Sequence, residues 1–311
     1  MRTPSLRQLR AFVEVARASG VGRAAAVLHL TQPAVSMQIR DLEVAVGLPL
    51  FERAGKGMRL TTTGEYLLVY ARRIFATLKE AEDTIARLRG LEGGRVVIGM
   101  VSTADHFLPR LLARFRTEHP GIEIRLQLGN REQLVQALHG NEVDLAVMGR
   151  APHEMAARAE PFAAHPLGVV ASAAHPLARR RGLPPAALAQ EPFIVREPGS
   201  GTRAAMEQFF AAHHLAPPAI MQMTSNETIK QAVLADMALA FLSLHTVGQE
   251  LAANQLSVLD VEGLPLMRRW HIVHLPARPL SPAAEAFRYF VLEEGERALA
   301  ALFGKPPARA G

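Results

Sequence analysis

Apolar residues in the first 50 positions recur at helical spacing. Residues 5–18 predict an amphipathic helix, and a second short helix fits residues 22–29. A third helix is expected to begin near Thr31, a favourable N-cap, with Pro33 in its first turn, and to end at Gly47. The pattern therefore predicts three helices that follow one another closely.

The third helix has one apolar face and one face whose composition suits DNA. Its apolar stripe, which is predicted to be core, consists of Val35, Ile39, Leu42 and Val46. The other side can read base edges, contact a thymine methyl group or meet a phosphate through Gln32, Pro33, Ser36, Met37 and Arg40. Spacing alone leaves an alternative open, namely a helical hairpin with an ordinary polar face.

Two features follow this helix. Residues 48–61, LPLFERAGKGMRLT, have short apolar ends around a basic, glycine-rich tip from Arg53 to Arg59, which predicts a β-hairpin wing close to phosphates. A long helix is then expected from Thr61 to Leu91, because this stretch contains no proline and Gly64 is its only glycine before Gly90.

This long helix carries one apolar seam with a period of 3.5 residues, which is typical of a helix that pairs with another helix. The predicted dimerisation residues are Leu67, Ala71, Ile74, Leu78, Ala81, Ile85 and Leu88. A second copy of the chain is the favoured partner, and burial against the C-terminal part of the same chain is the alternative. A hinge is expected at Leu91–Gly94.

From residue 95 onward, strand-like segments alternate with helix-like segments, ending in a helix at roughly 282–302. This alternation predicts an α/β unit with a parallel sheet and right-handed crossovers. Ligands bind such sheets where strands end and helices begin. Three junctions combine hydroxyls, glycines and arginines, which suits an anionic small molecule. The alternative is that these Ser, Thr and Asn residues are only helix caps. The candidate effector-binding residues are Ser102, Thr103, Arg150, Arg196, Ser200, Gly201, Thr202, Arg203, Asn226 and Ser243.

Charge and composition narrow the function. The chain has 311 residues and a net charge of +6, and residues 1–60 alone hold nine basic and four acidic side chains. A basic head on a nearly neutral body favours a polyanion as partner of the head, although a solvated basic surface would look the same. The absence of cysteine excludes disulfides and thiolate metal sites. Without an apolar signal segment or membrane span, the protein is expected in the cytoplasm.

Enzyme signatures are missing from the sequence. It contains no GxSxG, HExxH or P-loop motif, and the GxG-like segment at Gly199–Gly201 lacks the remaining dinucleotide-binding spacing. We therefore expect a binding protein that is not an enzyme and needs no metal or cofactor. A secreted solute-binding protein would share the body, but the basic head argues against it.

The N-terminal run resembles the winged helix-turn-helix of LysR-type transcriptional regulators. The family pattern AA..L..TQPAVS..I..LE...G..LF.R......LT..G is met without gaps from Ala24 to Gly64. The resemblance implies that Gln32, Pro33 and Ser36 lie at the DNA and that Arg53 binds backbone phosphate. The full set of DNA-binding candidates is Thr31, Gln32, Pro33, Ser36, Met37, Arg40, Arg53, Lys56 and Arg59. The sequence departs from the family at Gly22, where Ser or Thr usually caps the second helix, and at Met37, where many members carry Arg.

The rest of the chain resembles the effector domain of the same family, which is α/β and two-lobed like type 2 periplasmic binding proteins. The implied domains are a winged head (1–62), a dimerising linker helix (63–92), an effector domain (95–302) and a flexible tail (303–311). Within the effector domain, lobe I would comprise 95–164 and 267–300, and lobe II 165–266.

Within the family, the runs GNREQLVQALHGNEVDLAVMGR, VREPGSGTR, NETIKQAV and AFLSLHT most resemble activators of Calvin-cycle (RuBisCO) operons. The usual glycine-rich turn before the last run is replaced by Asp236–Ala238, and Asp tolerates the left-handed conformation. The resemblance implies an activator that responds to a phosphorylated metabolite or NADPH. Its implied partners are pseudo-palindromic double-stranded DNA, further copies of itself in a dimer or tetramer, and RNA polymerase. The alternative is a LysR-type regulator of another operon with a carboxylate or aromatic effector.

Overall fold

Three helices, a two-stranded hairpin and a long helix form the N-terminal part of the chain. The computed structural model describes residues 3–54, 57–88 and 93–304, and the chain divides into two compact units, Met1–Ile85 and Ala86–Gly311. The elements of the first unit are α1 (Leu6–Ala18), α2 (Val21–Leu28), α3 (Gln32–Val46), β1 (Phe51–Ala54), β2 (Gly57–Leu60) and the start of α4 (Thr62–Leu88). This is the predicted winged head, and its helix boundaries follow the capping signals.

The predicted caps of α3 are confirmed. The hydroxyl of Thr31 accepts a hydrogen bond from the backbone N–H of Ala34, and Gly47 ends the helix in a left-handed conformation with φ of 84°. The expectation for α2 was wrong in detail. Its N-cap is Gly20, which makes no side-chain cap hydrogen bond, and Gly22 lies inside the helix.

The core of the head joins α1–α3 to the wing and to the first turns of α4. The side chains of Phe12, Val35 and Leu42 are fully buried there. Gly64 allows the backbone of α4 to lie close to the backbone at Leu50, because a Cβ at position 64 would lie 2.2 Å from the carbonyl oxygen of Leu50. The wing is therefore held against α4 by backbone contact as well as by apolar packing.

The same core corrects the predicted seam of the long helix. Ala71 is fully buried in its own unit and is therefore not available to a second chain, whereas Leu67 is half-buried against the head core. Ile74 and Leu78 are 42% and 40% exposed, and Ala81 is exposed. The side chains of Ile85 and Leu88 lie outside the described residues. Three further apolar residues of α4 are exposed: Tyr66, Val69 and Tyr70.

The second unit is built on a nine-stranded mixed sheet with the order β4-β3-β5-β11-β6-β9-β7-β8, in which β10 pairs with β6. Its strands are β3 (Gly94–Val101), β4 (Ile122–Gly129), β5 (Leu145–Met148), β6 (Arg158–Ser172), β7 (Phe193–Arg196), β8 (Ala219–Met223), β9 (Leu239–Ser243), β10 (Leu256–Val258) and β11 (Leu266–His274). The expected parallel pairing is confirmed for β3 with β4 and β5 and for β7 with β8 and β9. It was wrong for β6 and β11, which run antiparallel to each other and to the strands they pair with.

Helices cover both faces of this sheet: α5 (Leu108–Glu118), α6 (Arg131–His139), α7 (Gly201–Ala212), α8 (Asn226–Leu234), α9 (Gly248–Ala252) and α10 (Pro282–Phe303). Asp236 has φ of 56°, which confirms the left-handed turn expected before β9. Within the described residues, no helix has the length and apolarity needed to cross a membrane.

The sheet has separate cores at its two ends, which makes the unit two-lobed as predicted. On β6, Phe162 and Ala163 pack into the core around α5 and α10, whereas Leu167 and Val169 pack into the core around α7. We call the part with β3–β5, α5, α6 and α10 lobe I, and the part with β7–β10 and α7–α9 lobe II. Because β6 and β11 run through both, the space between the lobes opens beside the middle of these two strands.

Candidate functional sites

The first candidate site is the solvent-facing side of α3. The apolar stripe of α3 is buried at Val35, Ile39 and Leu42 and half-buried at Val46. The opposite side exposes all six candidates in this region: Thr31, Gln32, Pro33, Ser36, Met37 and Arg40. The amide of Gln32 folds back toward α2, where a Cβ at position 22 would lie 2.9 Å from its Nε2 atom. Gly22 therefore leaves room for this orientation of Gln32.

The wing presents basic side chains on both strands. Arg53 on β1 and Arg59 on β2 are exposed. Arg59 pairs with Glu52 directly opposite, and its Nε donates to Oε1 at 2.9 Å. Lys56 lies outside the described residues. Below the wing, the Glu43 carboxylate accepts hydrogen bonds from the backbone N–H groups of Leu50 at 2.8 Å and Phe51 at 3.4 Å, which fixes the connection between α3 and β1.

In the second unit, the three predicted strand–helix junctions meet. Arg196 at the end of β7 donates from Nη2 to the hydroxyl of Ser102 at 3.0 Å and from Nη1 to the side-chain oxygen of Asn226 at 2.6 Å. The Asn226 amide donates to the same Ser102 hydroxyl at 3.3 Å. Ser102 follows β3 in lobe I, whereas the other two residues belong to lobe II. The junctions therefore bond to one another across the opening between the lobes.

Next to this contact lies a cleft with about 420 Å³ of open space. Three further guanidinium groups face it: Arg131 at the start of α6, Arg150 after β5 and Arg268 on β11. Arg268 donates to the carbonyl oxygen of Gly201 at 3.1 Å. Burial lowers the pKa of Arg268, and the positive charges of Arg150 and Arg131 lower it further. The cleft is therefore a place where positive charges repel one another and an anion would be stabilised.

His165 forms the floor of the cleft, and the aromatic side chains behind it are buried. The His165 ring on β6 stacks on the Trp270 ring with centroids 3.9 Å apart, and its Nε2 atom lies 3.0 Å from the hydroxyl of Ser243. Trp270 donates from its indole N–H to Nδ1 of His245 at 3.1 Å. Burial holds the pKa of His165 well below its usual value, and the neighbouring His245 lowers it further. The floor is thus neutral beneath a cationic rim.

The structure gathers most of the predicted effector residues, but not all of them. Seven line the cleft: Ser102, Thr103, Arg150, Arg196, Ser200, Gly201 and Thr202. Asn226 lines an adjoining pocket with about 1250 Å³ of open space, which also includes His106. Arg203 does not line either pocket, because its guanidinium bonds to Glu207, Gln222 and the carbonyl oxygen of Arg196. Ser243 is fully buried behind His165.

Sequence reasoning missed four of the polar residues that line the cleft. Asn130 and Arg131 follow β4 and begin α6, so the strand-end rule could have found them. Arg268 and His165 lie within β11 and β6, and no local motif marks them. They line the cleft because these strands run antiparallel between the lobes.

Comparison with known proteins places the whole chain in one family. A family profile described as "Bacterial regulatory helix-turn-helix protein, lysR family" matches residues 6–65, and one described as "LysR substrate binding domain" matches residues 89–296. The chain is 46% identical to the HTH-type transcriptional regulator CfxR of Cupriavidus necator, over 98% of this chain and 96% of that protein. It is 49% identical to the RuBisCO operon transcriptional regulator of Allochromatium vinosum, over 94% of this chain and 97% of that protein.

A solved structure supports the same assignment for the second unit. The regulatory domain of CcmR from Synechocystis PCC6803, in complex with 2-PG, is 36% identical with a TM-score of 0.62, and the match covers 69% of this chain and 99% of that domain. The helix-turn-helix profile, the substrate-binding profile and the full-length relatives agree, and the chain therefore belongs to the LysR family of bacterial transcriptional regulators.

Proposed function

We propose that this chain activates a CO2-fixation (RuBisCO) operon in the bacterial cytoplasm and responds to a phosphorylated metabolite or NADPH bound between its two lobes. The observation that carries the choice of effector is the cluster of Arg131, Arg150 and Arg268 facing one cleft. Full-length relatives that include a RuBisCO operon regulator support the choice of operon.

The chemistry of the cleft suits a phosphate group. Arginine binds phosphate through two parallel hydrogen bonds, and the start of α7 adds backbone N–H groups at Gly201 and Thr202, both of which line the cleft. His165 lines the cleft and is kept neutral by burial, so it places an uncharged ring beside the arginines, with the fully buried Trp270 ring stacked behind it. In this proposal the effector domain comprises residues 95–302.

DNA binding is assigned to residues 1–62. The exposed side of α3 would enter the major groove through Gln32, Pro33, Ser36 and Met37, and Arg53 in the wing would bind a phosphate. The linker helix, 63–92, would pair two chains through the part of its apolar surface that the head leaves exposed, centred on Ile74 and Leu78. Such a dimer, or a tetramer built from it, fits a pseudo-palindromic site beside RNA polymerase.

Ligand-dependent stabilisation tests the effector class. Thermal melts would be recorded with ribulose 1,5-bisphosphate, phosphoenolpyruvate, 2-phosphoglycolate, ATP, NADPH and a set of unphosphorylated carboxylates and aromatics. A ligand at 100 times its Kd adds about 2.7 kcal/mol of stability, which is a measurable shift. We expect shifts with phosphorylated compounds, and we expect Arg268→Gln to abolish them.

The control for this test is Arg125→Gln, which removes an exposed arginine paired with Glu123 on the edge strand β4. It should leave every shift unchanged. Shifts only with carboxylates or aromatics would reject the phosphorylated effector and move the protein to another regulon.

A further inference from the structure

One carboxylate already occupies the cation cluster of the cleft. Glu154 accepts hydrogen bonds from both terminal nitrogens of Arg131, each at 2.8 Å. The Arg131 side chain is only 16% exposed, whereas that of Glu154 is 48% exposed. The buried partner therefore belongs to the cleft, and the exposed partner approaches it from a surface loop.

This loop also carries Arg150 and is tied down by the same contact. Arg131 donates to the carbonyl oxygen of Ala151 at 3.4 Å, and the backbone N–H of His153 donates to the Glu154 carboxylate at 2.8 Å. The hydrogen bond from Arg131 holds the pKa of Glu154 at about 2, so the carboxylate is ionised throughout the physiological range. The loop therefore presents an arginine and a carboxylate to the same cluster.

The cluster retains binding capacity beyond this pair. The Nε atom of Arg131 is buried and has no hydrogen-bond partner within the described residues. Arg268 also experiences the charges of Arg150 and Arg131, as its lowered pKa indicates. The single carboxylate of Glu154 neutralises only one of the three positive charges in this cluster. A ligand with more than one negative charge would neutralise the others.

We infer that Glu154 is an internal competitor of the effector: it occupies Arg131 until an anionic ligand displaces it, and so determines which anions bind. This inference rests on the proposed anionic effector. A ligand carboxylate would replace one carboxylate on Arg131 with another and gain little by the exchange. A phosphate dianion carries more charge and three acceptor oxygens, so the same exchange favours binding.

The test uses calorimetric titration of the full chain with pyrophosphate as the probe. We expect Glu154→Gln to bind pyrophosphate roughly two- to fivefold more tightly, the range expected when a competing half-exposed ion pair is removed. In an Arg131→Gln background, Glu154→Gln should have no further effect, because the competition acts through that arginine. The matched control is Glu118→Gln, which makes the same charge change at the exposed end of α5. This position lies near the residues where β3 and β4 begin, whereas the cleft lies where these strands end.

Hydrogen exchange supplies a second readout. If the ligand displaces Glu154, pyrophosphate should speed amide exchange in residues 151–155 of the wild type, since the contacts at Ala151 and His153 are lost. Weaker or unchanged binding by Glu154→Gln, or slower loop exchange, would show that Glu154 orients Arg131 and would overturn the inference while leaving the proposed function intact. Failure of pyrophosphate and of the phosphorylated panel to bind either protein would overturn both.

Discussion

Gly149 decides whether His165 can form the floor of the cleft. A Cβ at this position would lie 2.4 Å from Nδ1 and 2.5 Å from Cε1 of His165, far inside normal contact distance. The ring cannot simply move away, because it stacks on Trp270 and its other nitrogen bonds to the buried hydroxyl of Ser243. Gly149→Ala must therefore displace a fully packed ring.

The size of the effect follows from these contacts. Overpacking of a well-packed core costs about 1–3 kcal/mol. Loss of the buried hydrogen bond between His165 and Ser243 adds about 1 kcal/mol. We expect Gly149→Ala to lower the free energy of unfolding of the second unit by about 2–4 kcal/mol. For a unit of this size, that change lowers the Tm by roughly 5–10 °C.

Unfolding in guanidinium chloride, followed by tryptophan fluorescence, measures this change in the free energy of unfolding. Trp270 is the sole tryptophan of the chain, so its signal reports the second unit and not the head. The control is Gly168→Ala on the same strand as His165, where a Cβ would meet Leu244 at an ordinary 3.4 Å and should cost little. Equal stability of the Gly149 and Gly168 variants would refute the argument that His165 is fixed from three sides.

Three further predictions concern DNA, assembly and pH. Arg53→Ala should weaken binding to all DNA sequences and reduce the dependence of log K on log salt by about 1; an unchanged slope in salt titrations argues against a phosphate contact. Ile74→Glu combined with Leu78→Glu should give a monomer in light scattering, and a persisting dimer would exclude this surface as the seam. Burial, followed by the charge of His106, lowers the pKa of His245 to about 4. As the pH falls below about 6.5, the unfolded chain therefore binds a proton at His245 that the folded chain does not bind. The contribution of His245 to stability should be complete above about pH 6.5 and be lost, by about 3 kcal/mol, as the pH falls toward 4. His165, whose pKa is also lowered, adds to the loss in the same direction. Denaturant titrations at each pH should show a smaller loss for His245→Gln than for the wild type.

Local signals were enough to predict the head. Its helix caps at Thr31 and Gly47 act within a few residues, and the stripe from Val35 to Val46 has a single phase, so each element could be placed from its own sequence. The seam of α4 was misassigned at Ala71 for the same reason. The heptad spacing is the same in the part of α4 that packs on the head and in the part that does not. Spacing therefore does not show where α4 leaves the head core.

The cleft required information that is not local. The strand-end rule correctly selected Ser102, Arg196 and Asn226. Arg196 and Asn226 follow the parallel strands β7 and β8 and share one edge of lobe II. Ser102 follows β3, which runs in the opposite direction, so it meets them from lobe I across the cleft. The rule could not place Arg268 or His165, which reach the cleft from the middle of two antiparallel strands. The antiparallel course of β6 and β11 depends on how the chain returns between lobes, and the alternation of apolar segments does not encode that direction.

The polar contacts between the lobes limit how a ligand can act. The hydrogen bonds that join the lobes include one from Arg196 to Ser102 at 3.0 Å and one from Asn130 to the carbonyl oxygen of Pro198 at 3.4 Å. Shifting an equilibrium between two lobe arrangements from 1:99 to 99:1 requires a difference in affinity of about 5.5 kcal/mol, whereas a charge-assisted hydrogen bond contributes about 1.5–3 kcal/mol. Two to four such bonds must therefore form in only one arrangement.

A ligand that contacted only Arg131 and Arg150 would touch a single lobe, bind both arrangements equally and shift nothing. An activating ligand must also reach the start of α7 at Gly201 and Thr202, which belong to the other lobe. For the proposed effector, binding and activation would thus be separable properties of the cleft. A pyrophosphate-like group would contact the arginines alone, whereas a molecule long enough to contact both lobes would also change their arrangement.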